Sequence, residues 1–153
     1  MTVYMLVGVP ASGKSTWVNS QGWMMGMAYI NTDVYVEAEA SRQGKTYSEV
    51  FESYMPTAVQ LMVNDVISAR EQGLDIVWDQ TSTTIGSRAK KFAMLPDHEA
   101  IAVVFETPEP AELSRRLDSR RPGKTILPEV VELMIAGWQE PTREEGFKEI
   151  WRV

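Results

Sequence analysis

Cysteine is absent from the 153 residues. No disulfide framework, thiolate nucleophile or Cys-ligated metal centre can therefore be built. Histidine occurs once, at His98, which excludes a multi-histidine metal site. No apolar run approaches the ~18 residues that a membrane-spanning helix needs. The opening MTVYMLVGV lacks a basic n-region and a small-residue cleavage site, so it does not read as a signal peptide. An intracellular protein with no membrane partner is expected. Positive charge is also scarce. The net charge of −6 argues against wrapping long nucleic acid, which requires a basic face.

What is present is an ordinary globular balance, 44% hydrophobic and 24% charged, at a length suited to one domain spanning 1–153. The charge is uneven. Residues 115–124, RRLDSRRPGK, hold a knot of arginines and a lysine against one aspartate. A basic knot in an acidic chain suits a compact anionic ligand such as a nucleotide. Val3 to Val9 is apolar nearly throughout, the pattern of a strand buried on both faces of a parallel sheet. Further strands are predicted at 28–32, 75–78, 100–105 and 147–153. Helices are predicted at 14–20, 34–43, 48–72, 88–94 with an N-terminus among the Ser/Thr residues at 81–87, 108–119 and 128–138. Pro56 is expected to kink or restart the longest of them. Strands alternating with helices predict a parallel sheet covered on both faces.

Gly8 to Ser15, GVPASGKS, fits G-x-x-x-x-G-K-[ST] at every fixed position, with a strand before it and a helix after it. Gly8 and Gly13 permit backbone angles and close approach that a side chain would block. Pro10, Ala11 and Ser12 complete a loop that would wrap phosphate oxygens at a helix N-terminus. Lys14 is expected to reach the β- and γ-phosphates, Ser15 to bind Mg²⁺ and Thr16 to touch the α-phosphate. ATP and Mg²⁺ are thus the expected cofactors.

Asp33 and Asp79 each follow a predicted strand, and ligands of doubly wound sheets bind beyond the carboxyl ends of the strands. Phosphoryl transfer needs one carboxylate to orient the attacking hydroxyl and others to hold Mg²⁺. Each residue also has a plainer use, Asp33 as a helix cap and Asp79 in a turn. Thr81 and Ser82 offer hydroxyls to metal-bound water or to the acceptor, whereas Thr83 and Thr84 suit capping. Arg120 and Arg121 lie in a Pro-Gly loop and suit a lid that neutralises the transferring phosphoryl group and excludes water. Arg115 serves equally well as a solvated helix end.

In order along the chain, GVPASGKSTW, NTDVY, WDQTS with Arg88 following, SRRLDSRRPGK and EGFKEIWRV resemble a known family. It is the kinase domain of bacteriophage polynucleotide 5′-hydroxyl kinase with its P-loop kinase relatives. The resemblance covers nearly the whole chain. It implies an α/β fold, a doubly wound parallel five-stranded sheet of order 2-3-1-4-5 with an arginine-bearing lid. It implies transfer of the ATP γ-phosphate to a nucleic-acid end or nucleotide, most simply a polynucleotide 5′-hydroxyl. The family's catalytic aspartate maps onto Asp33, with Tyr35 in the same acceptor-side segment. The lid arginine maps onto Arg120 or Arg121. Asp79 and Thr81 match the D-x-T-[NS] segment, and Arg88 matches the arginine after it. There are two departures. Val36 stands where the polynucleotide kinase has an acceptor-side arginine, and the family's 3′-phosphatase domain has no counterpart in these residues. Val36 leaves room for a hydroxymethylated base in phage DNA, such as 5-hydroxymethyluracil. A small-molecule acceptor also fits, and the acidic charge favours it. A phage-encoded protein acting in the host cytoplasm is consistent with either. A nucleotide-binding switch without transfer is the distant alternative.

Overall fold

In the computed structural model, which describes residues 1–120 and 122–153, an apolar strand runs through the centre of the protein. This is β1 (Thr2–Val7), flanked by β3 (Ile76–Trp78) on one side and β4 (Glu99–Val104) on the other. β2 (Ala28–Ile30) extends the sheet beyond β3, and β5 (Phe147–Arg152) extends it beyond β4. Every pairing is parallel, and the order is β2-β3-β1-β4-β5. The doubly wound arrangement implied by the resemblance is therefore the observed one.

Side-chain alternation explains why both faces need covers. Val3, Met5 and Val7 point to one face, where Met62, Val66 and Ala69 of α3 (Tyr47–Glu71) and Leu95 cover them. Tyr4 and Leu6 point to the other, with Trp17 and Val18 of α1 (Lys14–Ser20) and with Met24 and Met27. Burying apolar surface on both faces is worth roughly 25 cal/mol per Å² and stabilises the sheet from either side. A third cluster joins Val36 and Ala40 of α2 (Asp33–Gln43) to Val50 and Ala58 in the N-terminal half of α3. This half of α3 thus carries α2, while its C-terminal half lies on the sheet.

Pro56 does not restart the helix: α3 is continuous over its 25 residues. A proline removes one backbone donor, and the apolar contacts on both sides of it, at Val50 and Ala58 and then at Met62 and Val66, hold the helix through the gap. Its start is set by a reciprocal capping box between Thr46 and Glu49. The next helix, α4 (Ile85–Met94), starts within the Ser/Thr stretch at 81–87, as expected, because Thr84 and Ser87 form a second capping box. The remaining helices, α5 (Pro110–Asp118) and α6 (Pro128–Ala136), each open with proline. No helix among the described residues is long and apolar enough to cross a membrane.

The carboxyl ends of β1, β2 and β3 meet. Gly8 N–H donates to the Thr81 carbonyl at 2.9 Å, and Asp79 N–H donates to that of Ile30 at 2.8 Å. A cleft of about 1380 Å³ opens above them.

Candidate active site

The loop from Gly8 to Gly13 leaves β1 and enters α1. Gly13 has φ +98° and Ala11 φ +63°, so successive N–H groups turn to one side, the geometry of an anion nest. A side chain at Gly8 would stand 2.5 Å from Ser12 Oγ and 3.0 Å from Phe105 Cβ, so this position tolerates only glycine without adjustment. Ser12 Oγ is buried and has no hydrogen-bond partner among the described residues. Lys14 is buried too. Its Nζ donates to the carbonyls of Gly8 at 3.0 Å and Val9 at 2.9 Å, and burial lowers its pKa to about 8. A cradle with an unpartnered hydroxyl and a desolvated ammonium fits a group rich in anionic oxygens.

Two carboxylates face this loop. Asp79, directly after β3, accepts from Ser15 Oγ at 3.3 Å and from the Tyr29 hydroxyl. Burial and this contact raise the pKa of Tyr29, keeping it a donor. No cluster of three carboxylate or imidazole donors exists among the described residues. Ser15 and Asp79 offer two hard oxygens, the small protein share that Mg²⁺ takes when phosphates and water complete its shell. Asp33 is the first residue of α2. Thr32 takes the N-cap position, and Asn31 Oδ1 accepts from Val34 N–H at 3.0 Å, so Asp33 is not consumed as a cap. Its Oδ1 accepts from the Tyr47 hydroxyl at 2.7 Å and its Oδ2 from Lys124 Nζ at 3.1 Å. Burial and then Asp33 raise the pKa of Tyr47.

The segment between α5 and α6 is docked as a lid over this carboxylate. Ser48 N–H donates to the Gly123 carbonyl at 2.9 Å, and Thr125 N–H donates to Ser48 Oγ at 3.0 Å. Lys124 bridges Asp33 and Glu37 and lies 4.6 Å above the Tyr47 ring. Arg120 lines the cleft, close enough to Lys14 and Tyr47 for its charge to act on both. Arg121 lies outside the described residues.

Of the residues predicted from the sequence, Pro10, Ala11, Ser12, Gly13, Lys14, Ser15, Thr16, Asp33, Asp79, Thr81 and Arg120 all line one cleft. Gly8 sits directly beneath the loop. Two predicted acceptor residues lie elsewhere. The Tyr35 hydroxyl donates to Asp65 of α3, and its ring packs on the Val36 cluster. Arg88 is fully buried, paired with Glu145 at 2.8 and 3.0 Å and donating to the Ser82 carbonyl at 2.9 Å. It braces the loop after β3 from beneath and does not reach the cleft. Among the cleft residues that went unpredicted are Tyr29, Tyr47, Arg116 and Lys124. Arg116 pairs with Glu112 and donates to the Ala11 carbonyl at 3.1 Å. Arg116 and Lys124 carried a signal, membership of the basic knot. The tyrosines carried none.

The profile of the AAA_33 family, described as an AAA domain, matches residues 3–141. No curated protein matches the sequence. Among solved structures, a candidate kinase from Chloroflexus aurantiacus superposes with a TM-score of 0.71 at 15% identity, covering 99% of this chain and 86% of its own. A sugar kinase from Janibacter sp. HTCC2649 gives 0.62 at 13%, covering 99% and 85%. The shikimate kinase of Acinetobacter baumannii, solved with shikimate, gives 0.57 at 18%, covering 100% and 84%. At these identities the likeness is one of fold, that of P-loop kinases. The narrower resemblance to phage polynucleotide kinase rests on the sequence motifs alone.

Proposed function

The chain belongs to the AAA_33 family of AAA domains, and from that premise we propose that it is an ATP- and Mg²⁺-dependent kinase acting on a hydroxyl. The observation that carries this reading is the composition of one cleft: Lys14, Ser15 and Asp79 at the phosphate loop, and Asp33 with Arg120 and Lys124 across from it. A module that only binds nucleotide has no need of a second carboxylate, Asp33, beside the metal-side Asp79. Ser12, Lys14 and the loop N–H groups would hold the phosphates. Ser15 and Asp79 would hold the metal through its water shell. Bound MgATP supplies the γ-phosphoryl group and the divalent charge. Asp33 accepts the proton of the attacking hydroxyl and aligns it, since phosphoryl transfer depends more on positioning than on strong deprotonation. Arg120 offsets the charge on the transferring group, and the lid keeps water out.

The acceptor implied by the resemblance, a polynucleotide 5′-hydroxyl, brings phosphates that need cations. The departure at Val36 bears on this. That side chain is fully buried against Ala40, Val50 and Ala58, so position 36 offers the acceptor nothing. This favours an acceptor other than a polynucleotide end.

The test is transfer from γ-labelled ATP to a panel of 5′-hydroxyl DNA and RNA, hydroxymethyluracil DNA, nucleosides and small alcohols. Lys14→Ala should lower turnover at least ~100-fold. Asp33→Asn should lower it ~10²–10⁴-fold with MgATP affinity kept, and Asp79→Asn should also raise the Mg²⁺ requirement. Near-normal turnover in Lys14→Ala would end the kinase reading. A changed Mg²⁺ requirement in Asp33→Asn alone would mean that the two carboxylates have the opposite roles.

A further inference from the structure

Beyond Asp33 the cleft continues between two apolar walls. One is a stripe at i, i+4 spacing on α3: Tyr47, Phe51 and Met55. The other descends from the lid into α6: Leu127, Val130 and Met134. Phe51, Leu127 and Val130 are 41%, 61% and 41% exposed although they are large and apolar. The Tyr47 and Phe51 rings lie 5.5 Å apart, tilted by 37°, and form a continuous aromatic surface that leads down to the carboxylate. Among the described residues, the charged side chains on this side include Asp33, Glu37, Lys124 and Arg120, and Lys124 is bound between the two acids. Single-ligand pockets measure roughly 300–1,000 Å³, so the cleft, at about 1380 Å³, has room for a nucleotide and a compact second ligand.

We infer that the acceptor is a free, uncharged, ring-bearing alcohol that enters between the α3 and α6 walls and presents its hydroxyl to Asp33. The inference rests on the kinase reading and goes further by naming the acceptor's chemistry. Apolar walls gain by burying an apolar ring and offer nothing to offset the desolvation of phosphodiesters. Both oxygens of Asp33 already hold donors, Tyr47 at Oδ1 and Lys124 at Oδ2. A neutral hydroxyl gains its place by displacing Lys124, which keeps Glu37 as a partner. In the transfer step the acceptor oxygen bonds to the γ-phosphorus as the bond to the β–γ bridging oxygen breaks. ADP leaves, and the hydroxyl proton passes to Asp33.

Calorimetry with MgADP comes first. If the nucleotide does not bind, the kinase reading falls and this inference with it. With MgADP bound, 2-naphthylmethanol and thymidine are titrated as neutral ring-bearing alcohols, and octathymidylate with a 5′-hydroxyl as the polyanion. The neutral alcohols should bind saturably, with an affinity unchanged between 50 and 500 mM salt, as expected for ligands that release no counterions. Phe51→Ser and Met134→Ser should each weaken them ~10-fold or more with MgADP affinity unchanged, and labelled ATP should phosphorylate them. Tighter binding or faster phosphorylation of octathymidylate would overturn the inference. So would alcohol binding indifferent to both substitutions, or no alcohol binding while MgADP binds.

Discussion

Arg88 shows how far a single side chain can be from the role its motif suggests. Its guanidinium is wholly buried and forked onto Glu145, itself nearly buried, and it also holds the Ser82 carbonyl. Ser82 has φ +48°, so the loop that follows Asp79 is kept in a left-handed conformation by this brace. Arg88→Met strands the Glu145 carboxylate in the interior. Removing one partner of a buried pair costs about 3–5 kcal/mol, and urea unfolding should show a lower midpoint with an unchanged slope. An unchanged midpoint would mean that the pair is not buried in solution. The phosphate loop was legible in the sequence because its chemistry is contiguous. Arg88 was not, because its partner lies far along the chain and a motif does not say whether an arginine points up into a cleft or down into a core. Asp33 was proposed from its place after a predicted strand and from the resemblance, and it does line the cleft, while its neighbours Tyr47 and Lys124 reach it only through the folded arrangement.

Among the elements, the lid is held by contacts that a single methyl group can disturb. Gly123 has φ +83°, and a Cβ there would stand 2.6 Å from Thr46 Cβ and Cγ2. Gly123→Ala should therefore undock the lid from the start of α3, and the bonds between Ser48 and the lid should go with it. Trypsin should then cut at Lys124 several-fold faster, with the thermal midpoint nearly unchanged because few core contacts are involved. Equal cleavage rates in the two proteins would refute this account of the docking. The helix that receives the lid was predicted from its periodicity. Its passage through Pro56 was not, because local rules weigh the lost hydrogen bond and cannot see the apolar contacts on either side.

For the whole molecule, the buried groups set an unusual alkaline profile. Burial lowers Lys14 and Lys91 to about 8, whereas an unfolded lysine keeps its proton to about 10.5. Between these values the unfolded chain binds more protons, so stability rises with pH and this contribution is lost as pH falls through 8. Tyr35 is pushed up to about 12 by its bond to Asp65, and Tyr4, Tyr29 and Tyr47 are also raised, chiefly by burial. The unfolded chain loses these protons from about pH 10, so stability falls above that point. The thermal midpoint of the nucleotide-free protein should climb by about 5 °C from pH 8 to 10 and then drop. A steady decline from pH 8 would mean that the two lysines keep ordinary proton affinities. The sheet order followed from the family resemblance, and the strands from their apolar runs. The cleft's second wall did not, since helix periodicity does not reveal that Phe51 and Val130 face an opening instead of a core. The central place of β1 has one more outcome, for how the chain acquires its shape. Val3 pairs with Ile76 on one side and with Ala100 on the other, so the strand has no neighbour close by in sequence. Two long loops must close before it is held, which makes assembly slow and cooperative. The phosphate loop hangs from that strand, so the capacity to grip a nucleotide should emerge only at the end of folding.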